Sequence, residues 1–128
     1  MPNIKKILGF TMIELLVVTT IIIILSTIGL VSYRVTAKNA RDAKRRADLE
    51  TVRQALVLYR SDNGEYIDST IYTTATSSLN SAGYLSSPIP QDPKFPTQEY
   101  SYTSDGVTFT LTATLEDETS PAYVITSP

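Results

Sequence analysis

The chain contains no cysteine, no histidine and no tryptophan among its 128 residues. Without cysteine there is no disulfide framework to brace an exported domain, and no thiol nucleophile or thiolate metal ligand. Without histidine the commonest general base and the usual zinc ligand are missing as well. Beyond residue 61 the only basic side chain is Lys94. An enzyme built on such a chain would need a carboxylate pair or a carboxylate-held metal, and no spacing here suggests an active site of that kind. The length allows one small domain with a modest core.

Charge is almost absent from residues 10–33. Apart from the terminal Tyr33, the only ionisable side chain in that stretch is Glu14. A helix needs about 20 mostly apolar residues to cross the hydrocarbon core of a bilayer, and this segment supplies them. A carboxylate in such a helix costs roughly 2.5–3.5 kcal/mol on insertion scales, so Glu14 needs a partner or a task. An ordinary cleaved secretory signal has a shorter apolar core, and Val35-Thr36-Ala37 offers only a weak cleavage site after the run.

Elsewhere charge is plentiful and segregated. Residues 34–61 carry eight basic side chains against three acidic ones, a net of +5. Residues 62–128 carry nine acidic side chains against one lysine, a net of −8. From Tyr33 to Asn63 there is neither proline nor glycine. Val35, Ala40, Ala43, Ala47, Val52, Ala55, Leu56 and Tyr59 recur at helical steps, which predicts an amphipathic continuation of the apolar helix. Lys38–Asp42, Asp42–Arg46, Lys44–Asp48 and Arg46–Glu50 are spaced to pair along its surface. Asn63-Gly64 reads as its stop. One helix from about Met12 to Asp62 would be about 75 Å long.

Residues 65–99 show no sustained period. Ser77–Ala82, closed by Gly83, predicts a short helical turn, and Pro88, Pro90, Pro93 and Pro96 rule out a regular helix after it. From Tyr100 the period becomes two. Ser104-Asp105-Gly106 predicts a hairpin turn, Val107–Leu115 a half-buried strand, and Ala122–Thr126 a third strand after the Glu116–Pro121 turn. The apolar face of such a sheet needs a cover, and the amphipathic half of the helix is the candidate. Phe109 and Leu111 are therefore expected near Val52, Leu56 and Tyr59.

Lys5-Lys6-Ile7-Leu8-Gly9-Phe10-Thr11-Met12-Ile13-Glu14, running on into the apolar segment, closely resembles the class III signal of type IV pilins and type II secretion pseudopilins. The Asp92-Pro93 and Tyr100-x-Tyr102 positions are similar to the Asp-Pro-Trp-Gly … Tyr-x-Tyr region of major pseudopilins, with Lys94-Phe95 in place of Trp-Gly. The resemblance implies a pilin-like α+β fold, in which a long N-terminal helix packs on about three antiparallel strands. It divides the chain into a leader (1–9), a transmembrane and assembly helix (10–33), an amphipathic helix (34–63), an αβ-loop (64–99) and a sheet (100–128).

The same resemblance implies a precursor held once through the cytoplasmic membrane, its N-terminus inside, with Lys5 and Lys6 as the basic part of the leader. A prepilin peptidase would cut after Gly9 and methylate Phe10. Glu14 would then guide polymerisation into a helical filament, served by an inner-membrane assembly platform and minor pilins. Surface pilus, secretion pseudopilus and DNA-uptake fibre remain alternatives. By simple counting, the positive-inside rule would instead put the Arg41–Arg46 cluster inside, and only the cleavage motif sets the orientation adopted here.

Asp105, Glu116, Asp117 and Glu118 offer oxygen ligands, and pseudopilins often hold calcium in C-terminal loops. There is no EF-hand spacing, and a solubilising turn is the preferred reading. Arg41, Lys44, Arg45 and Arg46 lack the aromatic interleaving of a nucleic-acid reader, so a solvated face is expected and nucleic acid is not an expected partner. The alternative function is a membrane-anchored extracytoplasmic binding domain that never polymerises. Processing is directly testable: mass spectrometry of the mature protein should find an N-methylated Phe10 as the first residue, with the side-chain charge changed from −2 to −4 by loss of Lys5 and Lys6. Retention of Met1, or a start near Lys38, contradicts it.

Overall fold

A computed structural model describes residues 9–117 and 119–127. Its elements are α1 (Met12–Asn63), α2 (Tyr72–Ser81), β1 (Ser101–Ser104), β2 (Phe109–Thr114) and β3 (Ala122–Thr126). The layout is the expected α+β arrangement, a long N-terminal helix with a three-stranded antiparallel sheet. The chain divides into two compact units between Thr36 and Ala37.

In the first unit every residue from Gly9 to Thr36 is exposed. The helix is long and apolar enough to cross a membrane, and is compatible with a single-pass anchor. Ile21, Ile22, Ile23 and Ile24 are not strong helix formers in water. In hydrocarbon, however, a lone segment satisfies its backbone only as a helix. Three of its threonine hydroxyls bond back to the helix. Thr19 and Thr20 donate to the Leu16 carbonyl at 2.9 and 2.8 Å, and Thr27 donates to Ile23 at 2.8 Å.

The second unit contains the rest of α1, which ends where expected. Gly64 sits at φ +86°, and its N–H donates to the Arg60 carbonyl at 2.7 Å. This is the left-handed termination that glycine adopts without a Cβ penalty. Leu49, Val52, Ala55 and Leu56 are buried on one stripe of the helix. They share a core with Phe109, Leu111 and Ala113 of β2, Tyr102 of β1 and Ile125 of β3, and Tyr59 packs against it. The sheet order is β1-β2-β3, antiparallel throughout, with Tyr102 opposite Leu111 and Leu111 opposite Ile125. Edge-to-face pairs between Tyr66 and Phe109 (4.8 Å) and between Tyr72 and Tyr100 (5.4 Å) fill the core.

Two elements differ from expectation. α2 begins at Tyr72, well before the predicted turn at Ser77. Its buried residues Tyr72, Ala75, Thr76 and Leu79 follow a helical spacing hidden among serines and threonines, and the buried Thr76 hydroxyl bonds the Tyr72 carbonyl at 2.9 Å. β2 begins at Phe109, and Val107 is 66% exposed. Asp105 explains this, because its carboxylate accepts from the N–H groups of Val107 and Thr108 (3.0 and 2.7 Å) and holds both in the turn. Gly106 completes that turn at φ +83°.

Leu111 is fully buried at the centre of the sheet. Leu111→Ala should destabilise a fragment lacking residues 1–33 by roughly 2–5 kcal/mol in thermal melting. An unchanged melting temperature contradicts this packing.

Candidate functional site

The sequence-predicted assembly residues lie at the start of α1. Thr11 is the N-cap and Glu14 stands three residues later, forming a capping box. The Glu14 N–H donates to Thr11 Oγ1 at 3.3 Å, while Glu14 Oε2 accepts from the Thr11 N–H and Oγ1, both at 2.9 Å. A carboxylate in the first turn also complements the helix dipole. Both bonds fall on Oε2, and Oε1 has no hydrogen-bond partner among the described residues. Glu14 therefore completes its own helix start through Oε2 alone. Phe10 is 83% exposed, and a Cβ at Gly9 would meet nothing within 4 Å. Lys5 and Lys6 lie outside the described residues.

The second charged centre lies in the head and was not foreseen. Arg45, read from sequence as part of a solvated basic face, is fully buried. All five of its N–H donors are used. Nε and Nη2 grip Asp92 at 2.7 and 3.1 Å, Nη1 reaches Asp42 (2.7 Å) and Glu116 (3.1 Å), and Nη2 also reaches Gln98 at 2.9 Å. Arg41 adds a bidentate grip on Glu116 at 2.6 and 2.7 Å, and Lys94 Nζ meets Glu116 at 2.9 Å. Asp42 in turn accepts from the N–H groups of Glu116 and Asp117 at 3.0–3.1 Å. Three cations face three carboxylates, and they join α1, the 92–98 loop and the turn after β2.

A sequence signal for this centre exists. Leu56, Val52, Leu49, Arg45 and Asp42 step back along α1 by four, three, four and three residues, so the buried stripe runs directly into the two charges. Ala40, Ala43 and Ala47, expected on that stripe, are exposed. None of the four ion pairs expected at a spacing of four forms among the described residues. Asp42 pairs with Arg45 and Glu50 with Arg53, each three residues away, while Asp48 accepts from the Tyr100 hydroxyl at 2.8 Å.

The oxygen groups considered for calcium are separately engaged. Asp105 caps its turn, Glu116 is held by three cations, and Asp117 accepts from Thr119 N–H and Oγ1 at 2.9 and 2.6 Å. Glu118 lies outside the described residues. Among the described residues no group of three metal-capable side chains occurs. A small cavity of about 110 Å³ lies beside Tyr72, Ile89, Pro90, Phe95 and Tyr100, and its charged lining groups are Glu99 and the already engaged Asp92. No protein-family model, curated protein or solved structure matches the chain.

The Arg41 guanidinium, helped by Lys94 and Arg45, holds the Glu116 carboxyl well below the usual range. Burial works to raise Asp92, but hydrogen bonds from Arg45 and the Lys94 N–H outweigh it and leave Asp92 lowered. Folded values below unfolded ones contribute stability that is present above the unfolded values, about 4.3 for Glu and 3.9 for Asp, and is lost as pH falls towards the folded ones. The melting temperature of the fragment lacking residues 1–33 should therefore drop once pH is below about 4. Glu116→Gln should show a shallower acid dependence than the wild type. Superimposable profiles would remove Glu116 from the acid response.

Proposed function

We propose that this chain is a filament subunit of the type IV pilin and type II secretion pseudopilin kind. It is made as a membrane-held precursor, cleaved after Gly9 by a prepilin peptidase and methylated at Phe10. It is then drawn from the membrane into a helical fibre with its apolar helix at the centre. The observation that carries this reading is the exposed apolar helix from Met12 to Thr36, whose one carboxylate keeps an oxygen unoccupied.

Such a helix has two environments that suit it, lipid and other copies of itself. Lipid explains the apolar surface but leaves the charge at Glu14 uncompensated. A bundle of copies explains both. After cleavage each copy has an ammonium at Phe10, and Glu14 Oε1 is free to accept it from a neighbour. Charge pairing in an apolar bundle offsets a penalty of several kcal/mol for each ion, so only arrangements that bring the two groups together assemble. The closed, charge-balanced ion cluster in the head fits a structural subunit better than a reactive centre.

Glu14→Gln tests the reading. The amide oxygen can still accept from Thr11, so the helix start is kept while the charge is removed. The variant should insert and its head should melt as wild type does, yet electron microscopy should show few or no filaments. Abundant filaments at wild-type expression would show that the charge does not select assembly. A wild type that forms none at all would favour the anchored binding domain.

A further inference from the structure

The cavity of about 110 Å³ beside α2 is walled by rings that are held in place from outside it. Tyr72 and Tyr100 meet at 76°, so they stand as two nearly perpendicular walls. The Tyr72 hydroxyl donates to the Pro90 carbonyl at 3.0 Å, and the Tyr100 hydroxyl donates to Asp48 at 2.8 Å. Phe95 is a third wall, and at 48% exposure it stands at the mouth. Its position is set by Asp92, whose carboxylate accepts from the Lys94 N–H (2.8 Å) and whose carbonyl accepts from the Phe95 N–H (2.9 Å). Asp92 is itself gripped by the buried Arg45. The walls therefore need little ordering when something enters.

Charge at the cavity has one sign. Among the described residues no basic side chain lines it. Lys94, the only basic side chain after residue 61, is committed to Glu116 at 2.9 Å. Glu99 lines the cavity, is exposed, and forms no ion pair among the described residues. Asp48 lies behind Tyr100 and likewise forms no ion pair among them. Burial raises the Tyr72 and Tyr100 hydroxyls, and Asp48 adds to the rise, so both rings stay neutral.

We infer that this cavity binds the methylated ammonium group of a small molecule. Aromatic rings attract a cation, most strongly one that carries little water of its own. Methyl groups on the nitrogen can rest against Ile89, Pro90 and the rings, while Glu99 supplies the counter-charge without a hydrogen bond. A primary ammonium brings three N–H donors, which apolar walls leave unmet. A metal ion needs several oxygen ligands, and Glu99 is the one lining carboxylate not already engaged. A cavity of about 150 Å³ holds a benzene ring, so this one suits a group of about five heavy atoms. The inference is independent of the filament reading.

The test uses the full chain in maltoside micelles, titrated with choline and with its neutral isostere, in which carbon replaces the nitrogen. Ring-proton NMR signals of Phe95 should shift saturably with choline, and the isostere should bind about tenfold more weakly. Both Glu99 and Phe95 are exposed, so Glu99→Gln and Phe95→Leu should leave the melting temperature unchanged. Choline binding should weaken about threefold in Glu99→Gln and about tenfold in Phe95→Leu. Equal affinity for the isostere would make this a neutral apolar pocket and overturn the assignment. Equal affinity for ethanolamine would overturn the preference for a methylated nitrogen. Choline binding that both variants leave intact would place it elsewhere, and the absence of a saturable shift would remove the site altogether.

Discussion

The head depends on one buried cation. A guanidinium taken out of water loses solvation worth several kcal/mol, and the loss is tolerable only when its donors are met and its charge is balanced. Arg45 meets both conditions by drawing Asp42 from its own helix, Asp92 and Gln98 from the 92–98 loop, and Glu116 from the turn after β2. The rigid fork of the guanidinium gives the arrangement direction as well as charge. It fixes where a proline-rich loop and a strand end meet the helix, in a domain too small to fix them by core packing alone. Among the described residues no buried side-chain polar atom lacks a hydrogen bond.

Much of the architecture was legible because it follows from local chemistry. The end of α1 is carried by Gly64, the hairpin turn by Asp105-Gly106, and the burial of β2 by strict alternation from Phe109 to Leu115. Each signal lies within a few residues of the feature that it sets. The Arg45 centre was not legible in that way, because its partners lie 47 and 71 residues further along the chain. A basic side chain on a helix looks the same in sequence whether it faces water or a carboxylate brought up from elsewhere. Only the three-four spacing continuing from Leu49 into Arg45 separates the cases. α2 extends further than its sequence pattern suggests for a related reason, since Thr76 counts as polar although its hydroxyl bonds back to the turn before it.

The two units of the chain answer to different environments. In the head, charge is buried and matched, and the surface is left with what the matching does not use. In the apolar half of α1, polarity is minimised: three threonines bond back to the helix, and the single carboxylate is folded into the helix cap. Glu14 thus has a double attachment. It accepts from the Thr11 N–H and hydroxyl through one oxygen, while its own N–H donates to the Thr11 hydroxyl, so the charge is built into the first turn.

Because three segments converge on one side chain, positions 42, 45, 92, 98 and 116 are not free to drift independently. Losing Asp92 first strands a guanidinium with two donors facing nothing. Losing Arg45 first leaves Asp42 and Asp92 without their cation, beside a Glu116 still held by Arg41 and Lys94. Either intermediate is disadvantaged, while a concerted exchange for apolar side chains of similar volume need not be. Descendants of this sequence should therefore diverge freely at exposed loop positions such as Ser86 and Thr97. At those five positions they should keep the whole set or abandon it together.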